Sequence, residues 1–199
     1  MRRLPWIRGP ITVVLLTVGS LATAQTGRPV GGPAAPVQYR IDVERSQVTF
    51  KAYSLLQNAD GRFHRFDGQI SLDPRNLAAA RLNVTVDPAS IDTKNKKRDD
   101  HLRSPDFFDV NRHPVVAFDS TAVMPADGRV TVRGRLAIRG ISREIEVPVD
   151  VEIRDDALVA QGQFEINRQH YDISYQSALN PVKDIVHIAF TFHARRLSP

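Results

Sequence analysis

The residues best suited to chemistry lie together in one charged stretch near the middle of the chain. His101, Ser104 and the neighbouring aspartates could supply an imidazole base, a hydroxyl nucleophile and an acid. The members of a catalytic triad, however, meet through folding and not through such adjacency in sequence. The chain also has no G-x-S-x-G nucleophile elbow and no glycine-rich phosphate loop. The sequence therefore predicts no catalytic residue, and we expect a protein that is not an enzyme.

The same stretch could instead hold a metal ion. His101 and His113 flank the insert, and with the nearby Asp99, Asp100, Asp106 and Asp109 they would form an oxygen-rich site with one or two imidazoles. His187 and His193 share one face of a predicted strand, but at a rise of roughly 3.3 Å per residue they lie too far apart to bind one ion. No recognised ligand spacing occurs, and the chain has no cysteine. We therefore expect neither a metal nor another cofactor.

The first 24 residues have the pattern of a secretory signal peptide. Arg2, Arg3 and Arg8 precede an apolar run of 11 residues, and Ala-Thr-Ala at residues 22–24 offers the small side chains that a signal peptidase recognises. An 11-residue run covers only roughly half of a bilayer core. No cysteine follows the cleavage site, so no lipoprotein anchor is expected. We predict export to the periplasm and no membrane span in the mature form.

The segment that follows divides into a tether and a folded domain. Residues 25–37 are rich in proline and glycine and lack periodicity, which indicates a flexible tether before a domain at residues 38–199. The whole chain carries a formal net charge of +5, and loss of the three signal-peptide arginines leaves +2. A charge this small gives little support to a nucleic-acid partner, and we expect none.

From residue 39 onward the dominant hydrophobic period is two, which is the period of a β-strand. The clearest case is residues 144–153, where apolar residues at the odd positions alternate mainly with acidic ones. Similar alternation occurs at residues 48–53, 81–86, 130–139, 158–166 and 186–193, and less clearly at 62–72 and 115–123. The pattern predicts about eight strands.

Short gaps with turn residues separate most of these strands, which favours antiparallel connections. Arg139-Gly140 is one such turn, and two longer irregular inserts interrupt the pattern at residues 93–114 and 167–183. Strands with one apolar and one charged face fit either a sandwich or a closed barrel in water. Eight strands is about the size at which a barrel interior can hold one small ligand.

Two segments resemble a known family. They are residues 98–121 (RDDHLRSPDFFDVNRHPVVAFDST) and residues 134–149 (GRLAIRGISREIEVPV), supported by residues 39–50 and 61–72. Together they are similar to the YceI-like family over roughly residues 39–195. The resemblance implies an all-β fold, an eight-stranded antiparallel lipocalin-like barrel with short helical inserts. It also implies an exported protein that holds a polyisoprenoid or a comparable long amphiphile.

One position departs from the family pattern. Asn167, Arg168 and Tyr171 match, but Asp172 stands where the family usually has glycine. We therefore expect that the turn at this position, and any ligand contact that it makes, can differ from the family pattern. The resemblance also leans toward a homodimer, which no apolar surface stripe in the sequence supports independently.

An apolar tube suits an isoprenoid because burial of apolar area is worth roughly 25 cal/mol per Å² and needs no hydrogen bonds. The candidate lining residues are Phe50, Phe66, Val84, Phe118, Val132, Leu136, Val147, Phe164, Phe190 and Phe192, with Phe107 and Phe108 from the insert closing one end. Arg98, Asp99 and Arg168 either meet a head group or fix the structure.

The sequence thus predicts a binding protein that transports, stores or senses a lipid, or serves in a stress response. The alternative is an interaction or stress protein whose barrel is solidly packed and holds no ligand. The volume of the barrel interior decides between these two hypotheses.

Overall fold

The computed structural model describes residues 35–126, 129–154 and 156–197. The predicted signal peptide and all but the last three residues of the predicted tether lie outside these residues. The strands are β1 (Val37–Ile41), β2 (Gln47–Ser54), β3 (Ala59–Phe63), β4 (Phe66–Asp73), β5 (Asn76–Val86), β6 (Ile91–Asp92), β7 (Val116–Ala126), β8 (Arg129–Ile138), β9 (Ile141–Arg154), β10 (Ala157–Asn167) and β11 (Val182–Arg196). One α-helix, α1, spans Lys96–Arg103.

These strands form one closed antiparallel barrel. Neighbours run in the order β1-β4-β5-β7-β8-β9-β10-β11, and β1 pairs with β11 to close the ring. β2, β3 and β6 continue the paths of β1, β4 and β5 after short breaks, since β2 pairs with β11 and β3, and β3 pairs with β6. The predicted eight-stranded antiparallel barrel is therefore confirmed.

Alternation of apolar and charged residues explains why these segments form strands. In β8 every second residue from Val130 to Ile138 is buried, and the residues between them point outward. On the outside, Arg133 pairs with Glu146 (2.7 Å) and Arg129 with Asp150 (2.7 Å) across the β8–β9 ladder. Exposed pairs of this kind contribute little each, so burial of the inner face dominates the stability.

The predicted strand at residues 62–72 is two strands with a bend between them. At the bend, the His64 N–H donates to Ser90 O (3.3 Å) and the Arg65 N–H donates to Ser90 Oγ (3.0 Å). The bend shifts the side-chain alternation, so that Phe63 and Phe66 both face inward although they are three residues apart. A period-two pattern cannot contain such a shift, which is why the sequence suggested one strand.

The two ends of the barrel differ. The end that carries Val37 and Arg196 is filled by packed side chains, among them Tyr39, Leu72 and Leu158, each at most 3 % exposed. The other end carries the two irregular inserts. We call it the mouth end. No helix among the described residues is long and apolar enough to cross a bilayer.

Candidate functional site

A cavity of about 190 Å³ occupies the barrel between the packed end and the mouth end. Among the described residues, 26 of the 27 that line it are apolar, and Arg168 is the exception. An engineered apolar cavity of about 150 Å³ stays dry and binds small apolar molecules. This interior is therefore suited to an apolar guest, and the barrel is not solidly packed.

Inward glycines keep the cavity open by letting phenylalanine rings lie against the wall. Gly61 pairs with Phe50, and Gly162 pairs with Phe190 across their ladders. A Cβ built on Gly61 would lie 2.5 Å from the Phe50 ring, and one on Gly162 would lie 2.8 Å from the Phe190 ring. Gly134 pairs with Ser120, and a Cβ built on it would lie 2.4 Å from the ring of the diagonal neighbour Phe118. At Gly61 a larger residue would push the ring toward the lumen, whereas at Gly134 and Gly162 it would also collide with a backbone oxygen (2.6 Å and 2.7 Å).

Gly61→Ala is expected to reduce ligand affinity by about tenfold, which corresponds to about 1.4 kcal/mol. The new methyl group meets the Phe50 ring and Thr93 Cγ2 (2.8 Å), all of them side-chain atoms, so the ring shifts into the lumen. Titration with a fluorescent apolar probe measures the change. The double variant Gly61→Ala/Phe50→Leu removes the displaced ring atoms and should recover affinity. An unchanged affinity in the single variant would show that the ring does not limit the cavity.

The mouth end is covered by the insert that contains α1. Phe107 and Phe108 follow the helix and lie on the cavity wall. The Phe108 ring packs edge-on against Phe63 (5.9 Å between centroids), and the Phe107 ring packs against Tyr175 (5.2 Å). The insert therefore covers part of the lumen through aromatic contacts between side chains.

Arg139 fixes this cover to the barrel. It lies in the two-residue β8–β9 turn, as the sequence predicts for Arg139-Gly140, and both residues have positive φ (52° and 75°). Its guanidinium donates hydrogen bonds to the carbonyls of Pro105 (2.8 Å) and Phe107. The side chain is mostly buried, so this contact anchors the insert over the lumen.

Arg168 is buried and all five of its N–H donors are used within the protein. Nε donates to Lys183 O (3.3 Å), and Nη1 donates to Ile173 O (2.6 Å) and Tyr175 O (3.0 Å). Nη2 donates to Val182 O (3.2 Å) and Asp184 Oδ1 (3.0 Å). The sequence predicted either a head-group contact or a structural role for Arg168. These five bonds show that its side chain holds the segment before β11 to the start of that strand, and a head-group contact stays a prediction.

Arg98 and Asp99 both bond to Thr93. Arg98 Nε donates to Thr93 Oγ1 (2.8 Å) and its Nη2 donates to Thr93 O (2.9 Å). The buried Asp99 carboxylate accepts from the Thr93 N–H (2.9 Å) and from the Thr93 hydroxyl. Asn95 caps the helix by accepting from the Arg98 N–H (3.1 Å). These bonds position α1, and a contact with a lipid head group stays a prediction for both residues.

The Asp172 backbone is left-handed, with φ 56° and ψ 31°, at the end of the short 3-10 helix Arg168–Tyr171. Glycine adopts this conformation without the steric cost that a Cβ brings, so a glycine would suit this position. The Asp172 carboxylate lies 3.6 Å from Arg139 Nη2 and is 68 % exposed, so the pair contributes little. The turn itself is intact despite the substitution.

Asp172→Gly is therefore expected to raise the free energy of unfolding by about 0.5–1 kcal/mol and the melting temperature by about 1–3 °C. Thermal unfolding followed by circular dichroism measures the shift. Asp172→Ala is the matched control, because it loses the same carboxylate but keeps a Cβ at positive φ, and it should melt below the wild type. If both variants melt at the same temperature, backbone strain at residue 172 does not lower the stability of the wild type.

The candidate chemical residues of the insert are bonded among themselves. His101 Nε2 lies 2.8 Å from Asp106 Oδ2, and the imidazole packs edge-on against Phe107 and Tyr175. Ser104 Oγ accepts from the Asp106 N–H (3.3 Å). Within the part of the chain that the structure describes, no three His, Asp or Glu side chains are placed to hold a metal ion.

Three titratable groups at the mouth end have shifted pKa values, and one of them is the exposed Asp100 of α1, where a hydrogen bond from Lys96 lowers the pKa of the carboxyl. Burial raises the pKa of the Tyr171 hydroxyl above its ordinary value. Hydrogen bonds from His64 and then from Lys94 hold the pKa of the Asp92 carboxyl well below its ordinary range. Local burial and hydrogen bonds cause all three shifts, and none of the three groups lies on the cavity wall.

The structure places eleven of the twelve predicted lining residues on the cavity wall. Phe66 is the exception and corrects the prediction: it is buried beside Phe192 (6.0 Å between centroids) but does not reach the cavity, because the bend before it moves it toward the packed end. The wall also contains 16 residues outside the predicted lining set, among them Phe63, Ile173 and Val182. Phe63 continues the alternation of β3, whereas the other two follow no periodic pattern.

Comparison with known proteins agrees with this architecture. The YceI-like domain model matches residues 39–194. A UPF0312 protein of Vibrio vulnificus is 36% identical over 124 residues, which are 59% of this chain and 64% of that protein. A UPF0312 protein of Pseudomonas aeruginosa is 33% identical over 143 residues, which are 68% of this chain and 70% of that protein. The chain thus spans less than two thirds of the length of the Vibrio relative.

Solved structures share the fold. Burkholderia cenocepacia BcnA is 28% identical with a TM-score of 0.72, covering 77% of this chain and 98% of its own. A polyisoprenoid binding domain from Saccharophagus degradans has a TM-score of 0.66 at 17% identity, covering 80% and 98%, and shows the fold alone. Because the domain model spans nearly all of the barrel, the chain belongs to the YceI-like domain family.

Proposed function

We propose that this protein is an exported binding protein that holds one long, uncharged apolar lipid, such as an isoprenoid, and performs no chemistry on it. The observation that carries the proposal is the cavity, whose wall is apolar except for Arg168. Transfer of an apolar tail from water to such a wall releases roughly 25 cal/mol per Å². Transport, storage and a stress response are the roles that such binding would serve.

The state of Arg168 argues for an uncharged ligand. A carboxylate inside the barrel would need a cationic or hydrogen-bonding partner, because an unpaired buried charge is very costly. Arg168 is the charged residue on the wall, and its five N–H groups already donate to four carbonyls and Asp184. A fatty acid would therefore keep its carboxylate outside the lumen, whereas a polyprenol or a quinone tail would enter without that constraint.

The comparisons support the proposal at the level of the fold. The Saccharophagus degradans neighbour is described as binding polyisoprenoid, and it shares this barrel at 17% identity. The alternative of a solidly packed interaction protein is disfavoured by the cavity itself. The proposal for the periplasm rests on the composition of the N-terminal segment.

Native mass spectrometry of the protein, purified without detergent from an exporting host, tests the proposal. We expect a one-to-one adduct whose solvent extract contains a neutral isoprenoid or a similar lipid. Stripped protein is then offered farnesol and a fatty acid of similar length in competition, and we expect farnesol to be retained. Protein that stays free of lipid in both experiments, or that prefers the acid, would contradict the proposal.

A further inference from the structure

Three exposed leucines form one surface at the mouth end. Leu55 and Leu56 lie between β2 and β3, Leu179 precedes β11, and they are 73 %, 74 % and 83 % exposed. The Leu55 N–H donates to Pro181 O (3.2 Å) and the Leu56 N–H donates to Asn180 Oδ1 (2.7 Å), so the two loops are joined. We call Leu55, Leu56 and Leu179 the leucine tip.

The leucine tip adjoins the cavity. Ala52 and Val182 are cavity-lining residues, and each lies three residues along the chain from a leucine of the tip. Val182 is the first residue of β11, and it pairs with Ser54, the last residue of β2. The tip therefore lies within three residues of the cavity wall along both loops.

Cations and an aromatic ring flank the leucine tip. The ammonium groups of Lys51 and Lys183 lie 5.5 Å and 5.9 Å from the centre of the Tyr53 ring, on the strands that lead to the tip. Arg98 of α1 donates to Asn58 O (3.4 Å), which brings the basic first turn of the helix next to the Leu55–Leu56 loop. Apolar residues flanked by lysines and tyrosine are typical of surfaces that bind the interface of an anionic membrane.

The carboxylates nearby are largely engaged. Asp184, next to Lys183, accepts from Arg168 (3.0 Å), and Asp60 lies 3.5 Å from Lys51. Asp100 is bonded to Lys96 (2.7 Å). The positive charge of Lys183 is thus not cancelled by its neighbour, because the guanidinium already offsets Asp184.

We propose that the leucine tip inserts into the surface of an anionic phospholipid bilayer and places the mouth end against the membrane. This inference rests on the proposed function, because a long apolar lipid has its reservoir in a membrane. Insertion buries the three leucines in the acyl region and sets Lys183 among the phosphate groups, while Lys51 stays beside Asp60. The ligand then passes between bilayer and lumen without crossing bulk water.

Flotation with vesicles tests the proposal. The full chain without its first 24 residues is mixed with vesicles of phosphatidylethanolamine and phosphatidylglycerol, or of phosphatidylcholine alone. We expect flotation with the anionic vesicles only. Leu56→Ser/Leu179→Ser should weaken it by at least about tenfold per leucine, and Lys183→Glu by about fivefold or more. Leu197→Ser is the matched control, because this leucine is 43 % exposed at the packed end, and it should float like the wild type.

Three further measurements separate the outcomes. Thermal unfolding should show that the variants are as stable as the wild type, because the leucines are exposed. Native mass spectrometry of bound lipid reports on the proposed function independently, so lipid-loaded protein that does not float overturns only the membrane proposal. Sedimentation that shows a dimer dispersed by the leucine substitutions, without any flotation, would assign the tip to a second copy of the chain and also overturn it.

Discussion

Replacement of Leu136 by aspartate is expected to empty the barrel and to lower the free energy of unfolding by on the order of 5 kcal/mol. Leu136 is 6 % exposed and lies on the cavity wall, opposite Phe118 in the β7–β8 ladder. Removal of a buried leucine side chain costs about 2–5 kcal/mol, and an unpaired carboxylate in the same place adds a desolvation penalty. The cavity wall around residue 136 is hydrocarbon, so the introduced carboxylate would find neither a cation nor a hydrogen-bond donor.

Leu136→Asn is the matched control, because it has the same shape and polarity without the charge. Denaturant unfolding at several pH values separates the two effects. Burial raises the pKa of the introduced carboxyl in the folded state, so the extra penalty over asparagine is full above that pKa. It declines as the pH falls toward the unfolded-state value of about 3.9. Retained lipid and wild-type stability in the aspartate variant would show that Leu136 does not face the ligand space.

Much of the barrel follows from alternation alone. In β8 and β9 the inward residues can be read at every second position, and Val132, Leu136 and Val147 lie on the cavity wall as predicted. The β8–β9 turn also follows from local chemistry, because Arg139-Gly140 places glycine where φ must be positive. Alternation does not show whether the sheet closes into a barrel, because a sandwich would bury the same faces of the strands. The family resemblance supplied that part.

The cavity could not be predicted from the same pattern. An inward phenylalanine is compatible with a filled or an empty interior, and the difference lies in where its ring goes. Gly134 and Gly162 decide this by giving room to Phe118 and Phe190 against the wall. The relation is between strands, so no single strand reveals it. Phe66 was misplaced for a related reason, because the bend at residues 64–65 is fixed by Ser90 from another strand path.

The mouth end was the least predictable part, since its residues follow no period. Ile173 and Val182 reach the cavity because the segment between Arg168 and β11 is folded back by hydrogen bonds to one guanidinium. The sequence offered Arg168 as either a head-group ligand or a structural residue. The partners of its five donors lie up to 16 residues along the chain, and only the fold brings them together.

Arg168→Met is expected to cost about 3–5 kcal/mol of unfolding free energy and to open the mouth end. Methionine fills most of the volume but supplies no donor, so the carbonyls of Ile173, Tyr175, Val182 and Lys183 lose their partner. Each buried polar group left unsatisfied costs about 1–3 kcal/mol. Hydrogen exchange should show faster amide exchange across residues 172–182 than in the packed end of the barrel.

Two further variants distinguish the carbonyl bonds from the ion pair. Asp184→Asn removes the carboxylate partner, which is 47 % exposed, and should cost no more than about 1 kcal/mol. Arg168→Lys keeps the charge but has fewer donors and no planar fork, so it should fall between methionine and arginine. If Asp184→Asn proved as damaging as Arg168→Met, the ion pair would be what holds the segment. If Asp184→Asn costs much less than Arg168→Met, the mouth end depends on the backbone carbonyls that Arg168 binds. All five donors of Arg168 then serve the fold, and none is left for a ligand.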